Sequence, residues 1–253
     1  MRGLSNTKSV SVVIPTLWRS NCIIDLVNHL LNWNQLKELI IIDNDPNRRP
    51  QNECWENCTI LEQENNIFVN PAWNLGAATA TGQFLAICND DILFNPDDVS
   101  VALKALRKNE IIGLHRHSLL NPERVTSTSV VDGFNVGLGW GCLMLMRKKT
   151  FVPIPQTIKV WYGDDWLVHS IGRKSSLQIK VHGNLSVSAS DEAFNPIKEE
   201  DNRQYYQFIW SPVYRPLRIL ARWGLKQPLQ VAINIFNRRN SREVPSNKER
   251  PNH

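Results

Sequence analysis

The 253-residue chain has no long apolar run, and no uninterrupted stretch reaches the roughly 18 residues that a membrane-spanning helix needs. Its first residues, Met1 to Lys8, carry no apolar core of the kind a secretory leader shows. The expectation is a cytoplasmic protein, at most peripheral on a membrane. Cysteine is sparse: five residues, Cys22, Cys54, Cys58, Cys88 and Cys142, an odd number with scattered spacing. Three residues separate Cys54 from Cys58, the wrong spacing for a zinc ribbon or a thioredoxin motif, so reduced thiols are expected. No collagen, coiled-coil or solenoid period appears. Glycine is missing from Pro15-Thr16-Leu17-Trp18-Arg19, the loop after the first apolar run, which excludes a Gly-rich phosphate cradle there.

What remains is an ordinary globular composition, 42% hydrophobic and 21% charged, of a length that suits one large α/β domain with a small appendage. The net charge of +5 is unevenly placed. Residues 203–253 hold ten Lys/Arg against two Asp/Glu, leaving 19 against 22 in residues 1–202. A slightly acidic body therefore carries a basic tail, which suits an anionic partner.

Ser9 to Ile14 reads as a buried strand, and Ser20 as the N-cap of an amphipathic helix running to about Leu36. Glu38 to Ile42 reads as a second strand, completing a βαβ unit with parallel strands. Asn66 to Val69 is expected as a short strand, and Trp73 to Thr81 as a helix closed by Gly82 at C′. Phe84 to Cys88 is a further buried strand, followed by a helix with Asn95 as cap and Pro96 at its first position. After Lys108 the pattern is irregular until a strand at Cys142 to Met146. A helix through Leu167, Val168 and Ile171 and a strand from Leu177 to His182 follow. The remainder is basic and aromatic, with helical stretches broken by Pro212, Pro216 and Pro228. The expected division is a main domain over 1–200, a basic amphipathic helical extension over 201–240 and a disordered tail over 241–253.

In open α/β sheets, ligands bind at the carboxyl ends of the strands. Asp43, the pair Asp90-Asp91, the pair Asp164-Asp165 and His182 all fall at or near such ends. Oxygen ligands converging there point to a divalent cation, Mn²⁺ or Mg²⁺, of the kind that holds substrate phosphates.

Five segments in order resemble the family-2 glycosyltransferases of the GT-A fold. They are Val12 to Arg19, Leu39 to Asn44, Asn70 to Gly82 leading into Cys88-Asn89-Asp90-Asp91-Ile92, Gly141 to Met146 before Tyr162-Gly163-Asp164-Asp165-Trp166, and Val181-His182. The form Asn89-Asp90-Asp91 is similar to that of a rhamnosyltransferase-like branch. The resemblance spans roughly residues 9–190. It implies a mostly parallel mixed sheet flanked by helices, and an inverting, metal-dependent hexosyl- or pentosyltransferase. Pro15, Thr16 and Arg19 would line the nucleotide pocket, Asp43 would contact base or ribose, and Asn74 and Asp90 would lie at the donor. Asp91 would hold the metal, with His182 completing its shell. Asp165 would be the catalytic base, with Asp164 beside it.

The donor would be a nucleotide-diphosphate sugar, and the acceptor a glycan or lipid-linked saccharide of a polysaccharide-building pathway. Three departures from the pattern stand out: Asn89 replaces the first Asp of a full acidic triplet, Asn44 replaces a second Asp, and Leu167 stands where a further Asp is usual. A non-catalytic sugar-nucleotide-binding or scaffold protein is the rival expectation. Arg215, Arg218, Arg222 and Lys226 interleave with Leu217, Ile219, Leu220, Trp223 and Leu225. That pattern suits contact of residues 213–240 with anionic membrane, or packing on the domain or on a second copy in a homo-oligomer. No nucleic-acid-binding module accompanies the charge.

Overall fold

The computed structural model describes residues 9–51, 58–132, 139–182, 195–222, 225 and 227–242. In chain order its strands are β1 (Val10–Thr16), β2 (Leu36–Asp43), β3 (Cys58–Glu62), β4 (Phe84–Cys88), β5 (Leu93–Phe94), β6 (Glu110–Leu114), β7 (Ser129–Asp132), β8 (Leu143–Arg147), β9 (Arg173–Gln178) and β10 (Val181–His182). The α-helices are α1 (Ile23–Leu31), α2 (Val69–Thr79), α3 (Pro96–Ala105), α4 (Arg116–Leu120), α5 (Gly163–Ile171), α6 (Asn195–Trp210), α7 (Tyr214–Arg222) and α8 (Gln227–Arg242).

Eight strands form one mixed sheet in the order β3-β2-β1-β4-β8-β6-β9-β7, and β5 pairs antiparallel with β10 beside it. β3, β2, β1 and β4 run parallel, as the βαβ pattern predicts, and β8 runs against both β4 and β6. Both faces are covered, so the central strands are near-continuous apolar runs. Val12, Ile14, Leu39, Ile41, Ala86 and Cys88 bury against α1 and α3. Their alternates Val13, Ile40, Ile42, Leu85 and Ile87 lie in the second core, with residues of α2, α5, α6 and α8. Tyr205, Phe208, Ile209, Leu229 and Ile233 belong to that core, so the expected boundary at residue 200 falls inside α6, on a helix that packs on the sheet.

Several local expectations need correction. Asn66 to Val69 is not a strand. The Asn66 Oδ1 accepts from the Phe68 N–H at 2.8 Å, Phe68 sits at φ 67°, and α2 begins at Val69. The third strand is β3, upstream. The stretch after Lys108 hides β6, and β9 was masked by its polar sequence. Its buried Ser175 donates to the buried Glu110 carboxylate at 2.7 Å, which Arg173 also approaches at 3.5 Å. The expected strand 177–182 is therefore the end of β9 plus β10. α1 stops at Leu31, because Leu36 already belongs to β2, and Ser20 bonds Cys22 N–H one residue before the helix without capping it. Gly82 does not cap α2, which ends on Ala80; its amide donates to Ser11 Oγ at 2.8 Å.

The Asn95 cap is found, its Oδ1 accepting from Asp97 N–H at 3.1 Å. Cys22, Cys58, Cys88 and Cys142 are free thiols, and Cys54 lies outside the described residues. The tail expected to be disordered over 241–253 is helical to Arg242, and 243–253 lie outside the described residues. No described helix is long and apolar enough to cross a membrane.

α2 lies close on β1 because Gly76 has no side chain there. A Cβ at that position would come within 2.2 Å of Val13 Cγ1. Gly76→Ala gains about 1 kcal/mol of helix propensity but forces overpacking that costs roughly 1–3 kcal/mol. The expected outcome is a net loss, read as a lower thermal midpoint. A midpoint at or above that of the wild type would mean α2 does not sit this close.

Candidate active site

The carboxyl ends of β1, β2 and β4 open on the same edge of the sheet, and β8 starts there because it runs the other way. At the end of β4, Asn89 N–H donates to Cys142 O at 2.9 Å, which joins the acidic turn to the start of β8. Thr16, at the end of β1, donates from Oγ1 to Asp90 Oδ2 at 2.6 Å and accepts from Trp18 N–H at 2.8 Å. Burial and the adjacent Asp91 push Asp90 up to about 6, against the pull of the Thr16 bond. Asp91 is 6% exposed.

The second acid pair approaches from the other side. Asp164 and Asp165 open α5, and Asp165 N–H donates to Asp164 Oδ1 at 3.0 Å. A Cβ on Gly141 would meet Asp164 Oδ2 at 3.0 Å, so the absence of a side chain at 141 makes room for this carboxylate. Asp164 is pushed up to about 6 by burial and by Asp165. Asp165 is raised by burial, opposed by His169 and Lys174. Cys142 senses both pairs. Burial first, then Asp91 and Asp164, drive its thiol up to about 12, so it stands as a neutral S–H with an acid from each pair around it.

Support comes from residues that sequence reasoning missed. Asp201 on α6 is fully buried, and its carboxylate accepts from Lys159 N–H and Val160 N–H at 2.7 Å and from Trp161 N–H at 2.8 Å. Asn70 on α2 binds the same loop through Lys159 O at 2.9 Å and Trp161 O at 3.1 Å. Tyr162 follows in the left-handed region at φ 62° and stacks on Tyr205 of α6, ring centres 5.0 Å apart. The His169 Nδ1 lies 2.9 Å from Asp165 O and 2.8 Å from the Tyr205 hydroxyl. A carbonyl can only accept, so this contact selects the tautomer with the proton on Nδ1.

The remaining predicted residues fall as follows. Pro15 is buried inside β1, in register with Ile42. Arg19 is exposed on the loop after β1. Asp43 is fully buried and already engaged: Trp18 Nε1 donates to it at 2.7 Å, Asp45 N–H at 3.1 Å, and Arg49 lies 3.5 Å away and 2.5 Å from Glu62. Both hydrogen bonds fall on Oδ1, leaving Oδ2 buried with only the Arg49 contact. Asn74 is not brought to the site. Its amide donates to Ile154 O at 2.7 Å and accepts from Ile154 N–H at 2.8 Å, so both ends are spent on that backbone. His182 is exposed on β10, opposite Leu93, and lines a groove with His29, Lys180, Asp97 and Asp98. Trp73 and Trp140 are core residues.

Among the described residues no three His, Cys, Asp or Glu side chains gather as a ready ligand cluster, so Asp90, Asp91 and His182 do not form one set. The donor chemistry still fits a hard divalent cation. Two adjacent carboxylates, one with its proton affinity raised by the other, are a partial oxygen shell that a cation would relieve.

A mixed sheet with two acid pairs at this edge is the layout of the GT-A glycosyltransferases. The sequence profile described as "Glycosyl transferase family 2" matches residues 11–151, and the chain belongs to that family. It is a glycosyltransferase by family. Three solved structures share the fold. Mannosyltransferase PcManGT from Pyrobaculum calidifontis, in complex with GDP-Man and Mn²⁺, is 13% identical with a TM-score of 0.56, covering 94% of this chain and 76% of that one. Glucosyl-3-phosphoglycerate synthase from Mycobacterium tuberculosis, in complex with Mn²⁺, uridine-diphosphate and glucosyl-3-phosphoglycerate, is 11% identical with a TM-score of 0.51, covering 79% of each chain. S. aureus TarS 1-349 is 13% identical with a TM-score of 0.50, covering 91% of each chain. No curated protein sequence matches the chain.

The raised proton affinity of Asp164 carries a sign. Its folded value of about 6 lies above the ordinary carboxylate value, so it stabilises the fold fully only at low pH, and that contribution is lost as pH rises through 6. At neutral pH the ionised carboxylate is a burden. Asp164→Asn is expected to melt above the wild type at pH 7.5, by on the order of 1–2 kcal/mol of stability, with the gap closing towards pH 5. Thermal melts at the two pH values check this, and an unchanged gap would contradict it.

Proposed function

We propose that this chain transfers a sugar from a nucleotide-diphosphate donor to a hydroxyl of a glycan or lipid-linked saccharide, with inversion at the anomeric carbon. The observation that carries the reading is the placement of both acid pairs against residues 141–142, where Asn89 N–H donates to Cys142 O at 2.9 Å and Asp164 fills the space left by the missing side chain of Gly141, at the carboxyl edge of a family-2 sheet. Asp165 takes the proton of the acceptor hydroxyl as it attacks, a role for a partly buried carboxylate of raised proton affinity. Attack from the face opposite the diphosphate inverts the centre. Asp91, with Asp90 beside it, holds a divalent cation, Mn²⁺ or Mg²⁺, whose charge offsets that gained by the leaving diphosphate. His182 is left out of this set, since it lines a different groove.

The Asp90–Thr16 bond fixes the acidic turn to the loop of β1, where Pro15, Thr16 and Arg19 border the nucleotide end. The Asp201 clamp keeps Asp165 in place, and such positioning supplies several kcal/mol of a transfer barrier. One observation favours Asp164 as the base instead: burial and the adjacent Asp165 push its carboxyl up to about 6. The supported donors are UDP- or GDP-sugars, by likeness to the solved enzymes. The rhamnosyltransferase-like branch and the choice of hexose or pentose rest on the Asn89-Asp90-Asp91 form alone.

The test is thermal shift and donor hydrolysis over a panel of UDP-, GDP- and dTDP-sugars, with and without Mn²⁺, on wild type, Asp91→Ala, Asp165→Asn and Asp164→Asn. One donor should stabilise the wild type only with metal, and Asp91→Ala should lose that shift. Asp165→Asn should keep the shift and lose about 10²–10⁴-fold in turnover. Turnover in the wild type should fall on the acid side, at a pH above the ordinary carboxylate range, since burial raises Asp165 and the base must be ionised. Loss at Asp164 in place of Asp165 would move the base to Asp164. Tight donor binding with no turnover on any acceptor would identify a binding protein.

A further inference from the structure

We propose that the outer surface of α6, α7 and α8 docks on an anionic lipid bilayer. The three helices divide their apolar residues in two. Leu217, Leu229, Ile233 and Phe236 pack against the second core. A second set faces outward: Trp210 at the end of α6, Val213, Ile219 on α7, Leu225, and Val231 and Ile235 one turn apart on α8. Trp210 is 65% exposed and Leu225 59%, so these residues are not the edge of a core. Packing on the domain accounts for the inward set and leaves the outward set in water.

The charge on this stretch selects the occupant. Residues 211–242 contain seven Lys/Arg and no Asp/Glu. Arg218 is turned inward, buried and donating to Ile209 O at 2.6 Å. Arg215 is exposed and lies over the Trp210 ring at 5.9 Å, a pair with an apolar body and a cationic rim. Exposed apolar side chains on a stretch whose formal charges are all positive, with Arg215 exposed over Trp210, fit the headgroup boundary of an anionic membrane, where Trp and Arg both prefer to sit. A second copy docked through the same stretch would set cations against cations, with no carboxylate on 211–242 to answer them. A soluble polyanion would meet the charge and leave the aliphatic groups exposed.

This surface does not depend on the proposed activity, although a lipid-linked acceptor would be presented beside it. α6, which contributes Trp210, also carries Asp201 and Tyr205 to the catalytic loop.

The experiment is flotation of the full chain with vesicles of phosphatidylcholine alone or with about 30 mol% phosphatidylglycerol. Binding should be at least about tenfold greater on the anionic vesicles at low salt, and should be lost near ~0.5 M salt. The double variant Ile219→Ser, Ile235→Ser should keep the wild-type melting midpoint, since both side chains face water, and lose about tenfold in binding. Absence of binding, equal binding to both vesicles, or an unchanged double variant would overturn the proposal. So would a dimer in sedimentation that the double variant dissolves, with no vesicle binding. Donor-induced thermal shift is measured on the soluble chain, so failure of the activity and failure of the docking surface are separately visible.

Discussion

The site hangs on one buried carboxylate. Asp201 has no exposure to solvent, and a charge in that position is tolerable only where hydrogen bonds replace its hydration. Three consecutive amides of residues 159–161 supply them. Such charge-assisted bonds are stronger than neutral ones, and each partner left alone would be costly. The clamp therefore works in both directions. It ties α6 to the 159–161 loop, and it fixes the segment from which α5 starts with its two carboxylates.

Around that clamp the protein tolerates local expense. Asp90 and Asp164 both sit near a proton affinity of 6 because burial and a neighbouring acid oppose their charge. Tyr162 holds a left-handed backbone that a non-glycine residue reaches at a cost of roughly 1–2 kcal/mol, offset by its stack on Tyr205. These are the places where a fold gives up stability for geometry.

The parallel strands were legible because both faces are buried, which writes them as unbroken apolar runs that end in acids. Asp90, Asp91, Asp164 and Asp165 were legible for the same reason: an acid directly after such a run, or opening a helix behind one, is out of place unless it has work at the edge. β3, β6 and β9 were not legible. They are short, and β9 spends its interior on Ser175 and Ser176, with the Glu110 partner of Ser175 lying 65 residues away in sequence. Asp201 was hidden within Glu199-Glu200-Asp201-Asn202-Arg203, which reads as a solvated helical face. Asn74 misled in the opposite sense. The family resemblance implied that Asn74 lies near the donor, and only the distant backbone of Ile154 shows where its amide goes. Asp43 was recognised as a strand-end acid, but its enclosure by Trp18 and Arg49 depends on loops whose shape no periodicity encodes.

The order of the clamp along the chain has a consequence for biosynthesis. The parallel half, β1 to β4, is complete by residue 88, well before the ribosome adds Asp201. Domains generally fold as units. The loop before α5 lacks its Asp201 anchor until the last quarter of the polypeptide arrives. A prematurely terminated product would retain the acidic turn of β4 but not the means to hold the opposing pair. The clamp is completed last, by the same helix that ends in the exposed Trp210.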